Sequence, residues 1–145
     1  MASPPRTATT GTFFITAITH NRRRLFQVDA NARLLLETLQ HYRAKSLYKL
    51  HAFVVMPDHI HLLITSGDLS EAVRHIKGGF SRRLASKFPA WQHGFTDHLV
   101  LNRDQFQSRR DYIHQNPVRA RLVTNPELYP YSSAYPEQVT GQVPP

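Results

Sequence analysis

His59 and His61 stand one residue apart in MPDHIHLLIT (residues 56–65), inside a run of apolar side chains. In an extended chain successive side chains alternate faces, so both imidazoles point the same way and lie close together. That arrangement can present two ligands to one divalent ion. Two unrelated polar residues on a solvated face would give the same short pattern. Two ligands also leave a site unfinished, and RRDYIHQNPVRA (residues 109–120) offers the rest. Tyr112 and Asn116 are four apart, hence on one face of a helix. Asn116 is a candidate third ligand, although Asn before Pro117 also suits a helix cap with Pro at the first helical position. His98 and His114 are rivals, and His114 falls on a different helical face from Tyr112. Tyr112 is either a half-buried aromatic or a nucleophile. A phenol with a pKa of about 10 needs nearby positive charge to attack at neutral pH. Arg109, Arg110 and Arg119 are close in sequence.

The elements that must position these groups follow from periodicity. Residues 12–19 (TFFITAIT) are aromatic and β-branched and read as a strand. Asp29 is expected to cap a helix to about residue 45, with Ala32, Leu35, Leu36 and Leu39 at helical spacing. Residues 47–56 and 59–65 read as two strands joined at Pro57-Asp58, an antiparallel hairpin. A second helix starts at Ser70. Its stripe is Val73, Ile76, Phe80, Leu84 and Phe88, and Pro89 ends it. Gly78-Gly79 marks either a close backbone approach or a break between shorter helices. Residues 95–101 form a fourth strand, and a third helix runs from Asn102 or Asp104 to Gln115. Asn116-Pro117 then resets the chain, VRARLV forms a short helix, and the proline-containing tail from Asn125 is extended. The order is that of an α+β, ferredoxin-like βαββαβ antiparallel sheet with helices on one face, plus a C-terminal helix carrying the tyrosine. One domain over residues 12–133 is expected, with a flexible leader (1–11) and a tail (134–145).

Charge suggests the partner. The chain has 145 residues, with 18 Lys+Arg against 10 Asp+Glu and a formal net charge of +8. Arg22, Arg23 and Arg24 are consecutive. Residues 72–96 contain no acid but hold Arg74, Lys77, Arg82, Arg83 and Lys87. A polyanion fits, and nucleic acid is the commonest one. Cysteine is absent, which excludes disulfides and Cys-ligated zinc or iron–sulfur centres and fits a reducing compartment. Apolar runs are too short to span a bilayer, and the N-terminal residues lack the apolar core of a signal peptide.

Three blocks, HAFVVMPDHIHLLI, WQHGFTDHLV and DYIHQNPVRARLV, together with YPYSSAY near the end, resemble the REP-associated tyrosine transposases, within the HUH group of single-strand nucleases with one catalytic tyrosine. The resemblance covers residues 13–133. It implies a ferredoxin-like sheet whose His59 and His61, with Asn116 from the tyrosine helix, hold Mg²⁺ or Mn²⁺. It also implies that Tyr112 attacks a phosphodiester in single-stranded DNA, giving a 5′-phosphotyrosine link and a free 3′-OH. Targets of such proteins are imperfect palindromes that fold as hairpins. Arg22, Arg23, Arg24, Arg74, Lys77, Arg82, Arg83, Lys87, Arg109 and Arg119 would then contact DNA. The resemblance favours a monomer with its tyrosine helix in cis, a homodimer being the alternative, in a cytoplasmic, nucleoid-associated setting with no membrane partner. The chain departs from the family at Arg121, where NPVxxGLV would place glycine. A hairpin-binding protein that does not cut, or a metallohydrolase that uses water, would share some of these features. Only the nuclease uses His59, His61 and Tyr112 together.

Overall fold

The computed structural model describes residues 10–138. Strand β1 (Gly11–Ile18) is followed by 3-10 turns at His20–Arg22 and Leu25–Gln27, then by helix α1 (Asp29–Ala44). Strands β2 (Lys49–Met56) and β3 (His59–Ser66) form the hairpin. Helix α2 (Leu69–Leu84), strand β4 (Thr96–Val100) and helix α3 (Arg103–Arg119) complete the order. The sheet is antiparallel in the order β2-β3-β1-β4, so the strand that carries both histidines is central.

Alternation along β1 and β3 divides the molecule into two layers. Phe13, Ile15 and Ala17 join Ile60, Leu62 and Ile64 under α1 and α2, in a core that also holds Leu35, Leu39, Ile76 and Phe80. On the other face Phe14, Ala52, Val54, Met56 and Leu63 pack with Ile113 of α3 and with Tyr129. Two helices thus cover one face, and the C-terminal helix crosses the face that displays the histidines.

Helix α2 runs unbroken through Gly78-Gly79, and the reason is close approach. A Cβ at Gly79 would lie 2.6 Å from Cε2 and 2.8 Å from Oη of Tyr42 on α1.

Several boundaries differ from expectation. Asp68, not Ser70, caps α2, its carboxylate accepting from the Glu71 N–H at 3.1 Å. The helix stops at Leu84 because Ala85 turns left-handed at φ 52°, so Phe88 leaves the apolar stripe and is 67% exposed. Asp29 is the first residue of α1 rather than its cap, and its carboxylate accepts from Arg33 and Tyr131.

The largest correction is at Asn116-Pro117. Helix α3 continues through both residues to Arg119, so Asn116 caps nothing and VRARLV forms no separate helix. An interior proline removes one hydrogen bond and disfavours helix at the preceding residue. Here burial of Ile113 and Pro117 outweighs that cost.

The tail is also not simply extended. Residues 126–128 make a 3-10 turn, and residues 131–133 pair with the free edge of β2 through Val55 N–H to Tyr131 O (2.8 Å) and Ser133 N–H to Phe53 O (3.0 Å). Packing reaches Gln138, whose amide donates to Pro130 O. The leader expected at residues 1–11 lies outside the described residues up to residue 9, and Gly11 already belongs to β1. Residues 139–145 of the expected tail also lie outside them.

Candidate active site

Register places His61 opposite Thr16 of β1 and Val54 of β2, and His59 at the start of the same strand. The two imidazole centroids are 4.8 Å apart. Each ring has a partner at Nδ1. The Asp58 carboxylate can only accept, so His59 donates from Nδ1 at 2.7 Å and leaves the Nε2 lone pair for another use. The Thr16 hydroxyl lies 2.9 Å from His61 Nδ1 and can accept from it, the tautomer that again leaves Nε2 as the ligand atom. Asp58 is held in turn by Arg22 at 3.3 Å. Burial acts to raise the Asp58 pKa, but the hydrogen bonds and charges of His59 and Arg22 together hold it below the usual carboxylate range.

His61 is 6% exposed. Burial first, then the charges of His59, Arg119 and Arg109, pushes its pKa down to about 3. It is therefore neutral at physiological pH, the form that binds a metal. Paired imidazoles with both Nδ1 atoms oriented by an oxygen are a donor set that fits a divalent ion.

Helix α3 brings the phenol to this pair. Ile113 is fully buried against the sheet, and the next residue, His114, bonds through Nε2 to Ser133 Oγ at 2.8 Å. These two anchors fix the phase of the helix and leave Tyr112, 40% exposed, over the histidine face. Its ring meets His61 edge-on at 5.5 Å and Phe14 edge-on at 5.7 Å. Phe14 also stacks on His61 at 5.2 Å. The Arg119 guanidinium lies 4.3 Å from the centroid of the Tyr112 ring and donates to the Tyr112 carbonyl at 3.0 Å. Arg109 covers Phe14 at 4.6 Å. The site thus gathers His59, His61, Tyr112, Arg109, Arg119 and, through Asp58, Arg22.

Asn116 is one turn beyond Tyr112 on the same helical face and half-buried. Because the helix passes through it, its side chain has no capping duty. His114, the rival, is engaged by Ser133, and burial lowers its pKa, helped by Arg110 and opposed by Asp111. His98 is exposed on β4, 6.2 Å from Phe14. Among the described residues no three His, Asp or Glu side chains gather as a metal cluster.

The expected DNA-contacting cations divide. Arg22, Arg23 and Arg24 occupy the turn after β1, beside Asp58. Arg74 and Lys87 are exposed. Lys77 instead donates to Gln92 O and Gly94 O, at 3.0 and 2.7 Å. Arg82 donates to Tyr42 Oη and Arg83 to Thr38 Oγ1, so both tie α2 to α1 on the layer away from Tyr112. Sequence reasoning did not find Thr16, Phe14 or Ser133. Thr16 could have been found from strand register, but the hydrogen bond of Ser133 depends on a tertiary contact.

The sequence profile for "Transposase IS200 like" matches residues 8–116, well over half of the chain and inclusive of both histidines, Tyr112 and Asn116. The chain belongs to the IS200-like transposase family. Among solved structures this IS200-like transposase is similar to a REP-associated tyrosine transposase bound to a REP hairpin. The identity is 28% and the TM-score 0.82, over 99% of this chain and 89% of that one. It shares its fold with a putative transposase from Deinococcus radiodurans R1, at 23% identity and TM-score 0.55, over 79% of this chain and 97% of that one. No curated protein sequence matches the transposase. Among its described residues, no helix is long and apolar enough to cross a membrane.

Proposed function

We propose that this transposase cleaves and rejoins single-stranded DNA beside a hairpin through a covalent link to Tyr112. The observation that carries the reading is the edge-on contact of Tyr112 with His61, which puts a half-exposed phenol against the paired imidazoles. The similar transposase bound to a REP hairpin supports a hairpin as the target.

His59 and His61, through Nε2, and the Asn116 amide oxygen would hold Mg²⁺ or Mn²⁺. When bound, such an ion neutralises and orients the scissile phosphate. Tyr112 Oη forms the new bond to phosphorus as the phosphorus–O3′ bond breaks. The phenolic proton is lost, and the departing 3′ oxygen gains one. The product is a 5′-phosphotyrosine and a 3′-OH, and attack by a 3′-OH reverses the step without an external energy source. Arg119 and Phe14 hold the Tyr112 ring in place. Arg109, Arg22, Arg23 and Arg24 supply positive charge around the strand.

Incubation with Mn²⁺ and labelled stem-loop DNA, followed by a denaturing gel, tests this. Wild type is expected to give a shifted covalent band, and Tyr112→Phe none while binding the hairpin with wild-type affinity. A band in Tyr112→Phe would place the nucleophile elsewhere. Hairpin binding with no band in wild type would favour a binding protein that does not cut.

A further inference from the structure

The turn after β1 is fastened on both sides by hydrogen bonds to neighbouring segments. Asn21 and Arg22 both lie in the left-handed region, at φ 54° and 52°. Non-glycine residues keep that conformation where the surroundings over-determine it, and functional sites are the usual place. Thr19, fully buried, is the fastening. Its hydroxyl lies 2.7 Å from Arg23 O and 3.0 Å from Asp58 O, and its N–H donates to Asp58 O at 3.0 Å. The loop before β4 is tied to the same turn: His20 N–H donates to Ala90 O and Gln92 N–H to Ile18 O. Within that loop Ala90 and Trp91 are buried, yet Phe88 is 67% exposed. Phe88 and Tyr112 are the two large aromatics left exposed among the described residues, and Tyr112 has a role already.

The surroundings of Phe88 select a partner. The Arg23 guanidinium sits 5.7 Å from its ring centroid. Arg24 and Lys87 are exposed, and the segment 72–96 has no acid. An aromatic ring among cations suits a single nucleic-acid strand, whose bases stack while its phosphates meet the charges. Arg22, the residue before Arg23, pairs with Asp58, and Asp58 accepts from His59, so the same turn reaches the histidine pair.

We propose that Phe88, with Arg23, is a stacking platform for one unpaired nucleobase of the DNA strand that enters the His59–Tyr112 site. The proposal rests on the single-strand reading above and adds the residue that grips the strand.

The test uses the full chain and two probes: a stem-loop DNA with mixed-sequence single-stranded extensions at both ends, and the same stem-loop with blunt ends. Phe88→Ala is expected to lose about five- to hundredfold in affinity for the extended probe, as for one lost base–aromatic stack, with no change for the blunt one. Phe88→Tyr restores affinity, and quenching of 2-aminopurine in the extension by wild type disappears in Phe88→Ala. Equal binding of both probes by Phe88→Ala and wild type, or an equal loss on both, overturns the platform and leaves the exposed ring to another partner. The binding assay needs no cleavage. Phe88-dependent binding in a wild type that never forms a Tyr112 adduct would keep the platform and refute the cleavage mechanism. An adduct without Phe88-dependent binding would do the reverse.

Discussion

Thr16 is a plain strand residue by sequence, yet its hydroxyl lies 2.9 Å from Nδ1 of His61 and can brace that ring. Replacement of the oxygen that orients a ligand imidazole usually costs about 10- to 100-fold in metal affinity. Thr16→Val keeps the shape of the side chain and removes the oxygen. Mn²⁺ affinity, followed by calorimetry in the absence of DNA, is expected to fall by about tenfold or more. An unchanged affinity would show that the pair needs no such brace. Burial of histidines has a second consequence at this scale. His51 and His114 have lowered pKa values, chiefly from burial, and His61 is pushed down to about 3. For each, the unfolded chain binds the proton more tightly than the folded one. Stability is therefore fully present above the unfolded histidine value of about 6.5 and is lost as pH falls below it. In EDTA, the urea midpoint should decline between pH values of about 7.5 and 5. A flat midpoint would contradict the burial of these rings.

Elements show where sequence was sufficient and where it was not. The hairpin was legible because alternation over His59–Ser66 sets Ile60, Leu62 and Ile64 against a helical layer and the histidines against the other face. Read locally, Asn116-Pro117 marks a boundary that ends helix α3 early, and only burial of Pro117 reveals the opposite. The stop of α2 at Ala85 carries no local signal either, since alanine is a poor choice for a left-handed position. Of the candidate site, Tyr112 with the two histidines was recognisable from spacing and from the three blocks, whereas Thr16, Phe14 and Ser133 join it through pairing and packing across the chain. Arg121 links these two levels. It stands where the resembling family has glycine, and its φ is 62°. The backbone bend after α3 is thus made with a residue that tolerates it poorly. Arg121→Gly removes a left-handed strain of about 1–2 kcal/mol, offset by the greater freedom of glycine in the unfolded chain, about 0.5–1 kcal/mol. The expected net result is a gain of about 0.5–1 kcal/mol in urea unfolding, with the α3 register and adduct formation intact. A loss of stability would mean that the Arg121 side chain contributes more than its backbone costs.

At the scale of the whole molecule, Arg24, Lys87, Arg82 and Arg83 are all exposed but lie in different surroundings. A net charge of +8 treats every arginine alike, but placement does not. Arg82 and Arg83 reach Tyr42 and Thr38 across the α1–α2 layer, on the far side of the sheet from Tyr112. Arg24 and Lys87 are exposed next to the turn that braces Asp58. Each phosphate contact with a single strand contributes about 0.7 to the slope of log affinity against log salt. Arg24→Gln with Lys87→Gln should flatten that slope by about 1 to 1.5 on single-stranded hairpin extensions, with the urea midpoint unchanged. Arg82→Gln with Arg83→Gln should do the opposite, lowering the midpoint while the slope stays at its wild-type value. Both pairs remove the same formal charge, so a model in which net charge alone attracts DNA predicts equal slopes for the two variants. A flattened slope in the Arg82/Arg83 variant would mean that DNA wraps past the sheet edge onto the helical layer. In that case the strand path would be longer than the histidine face and the Phe88 loop provide.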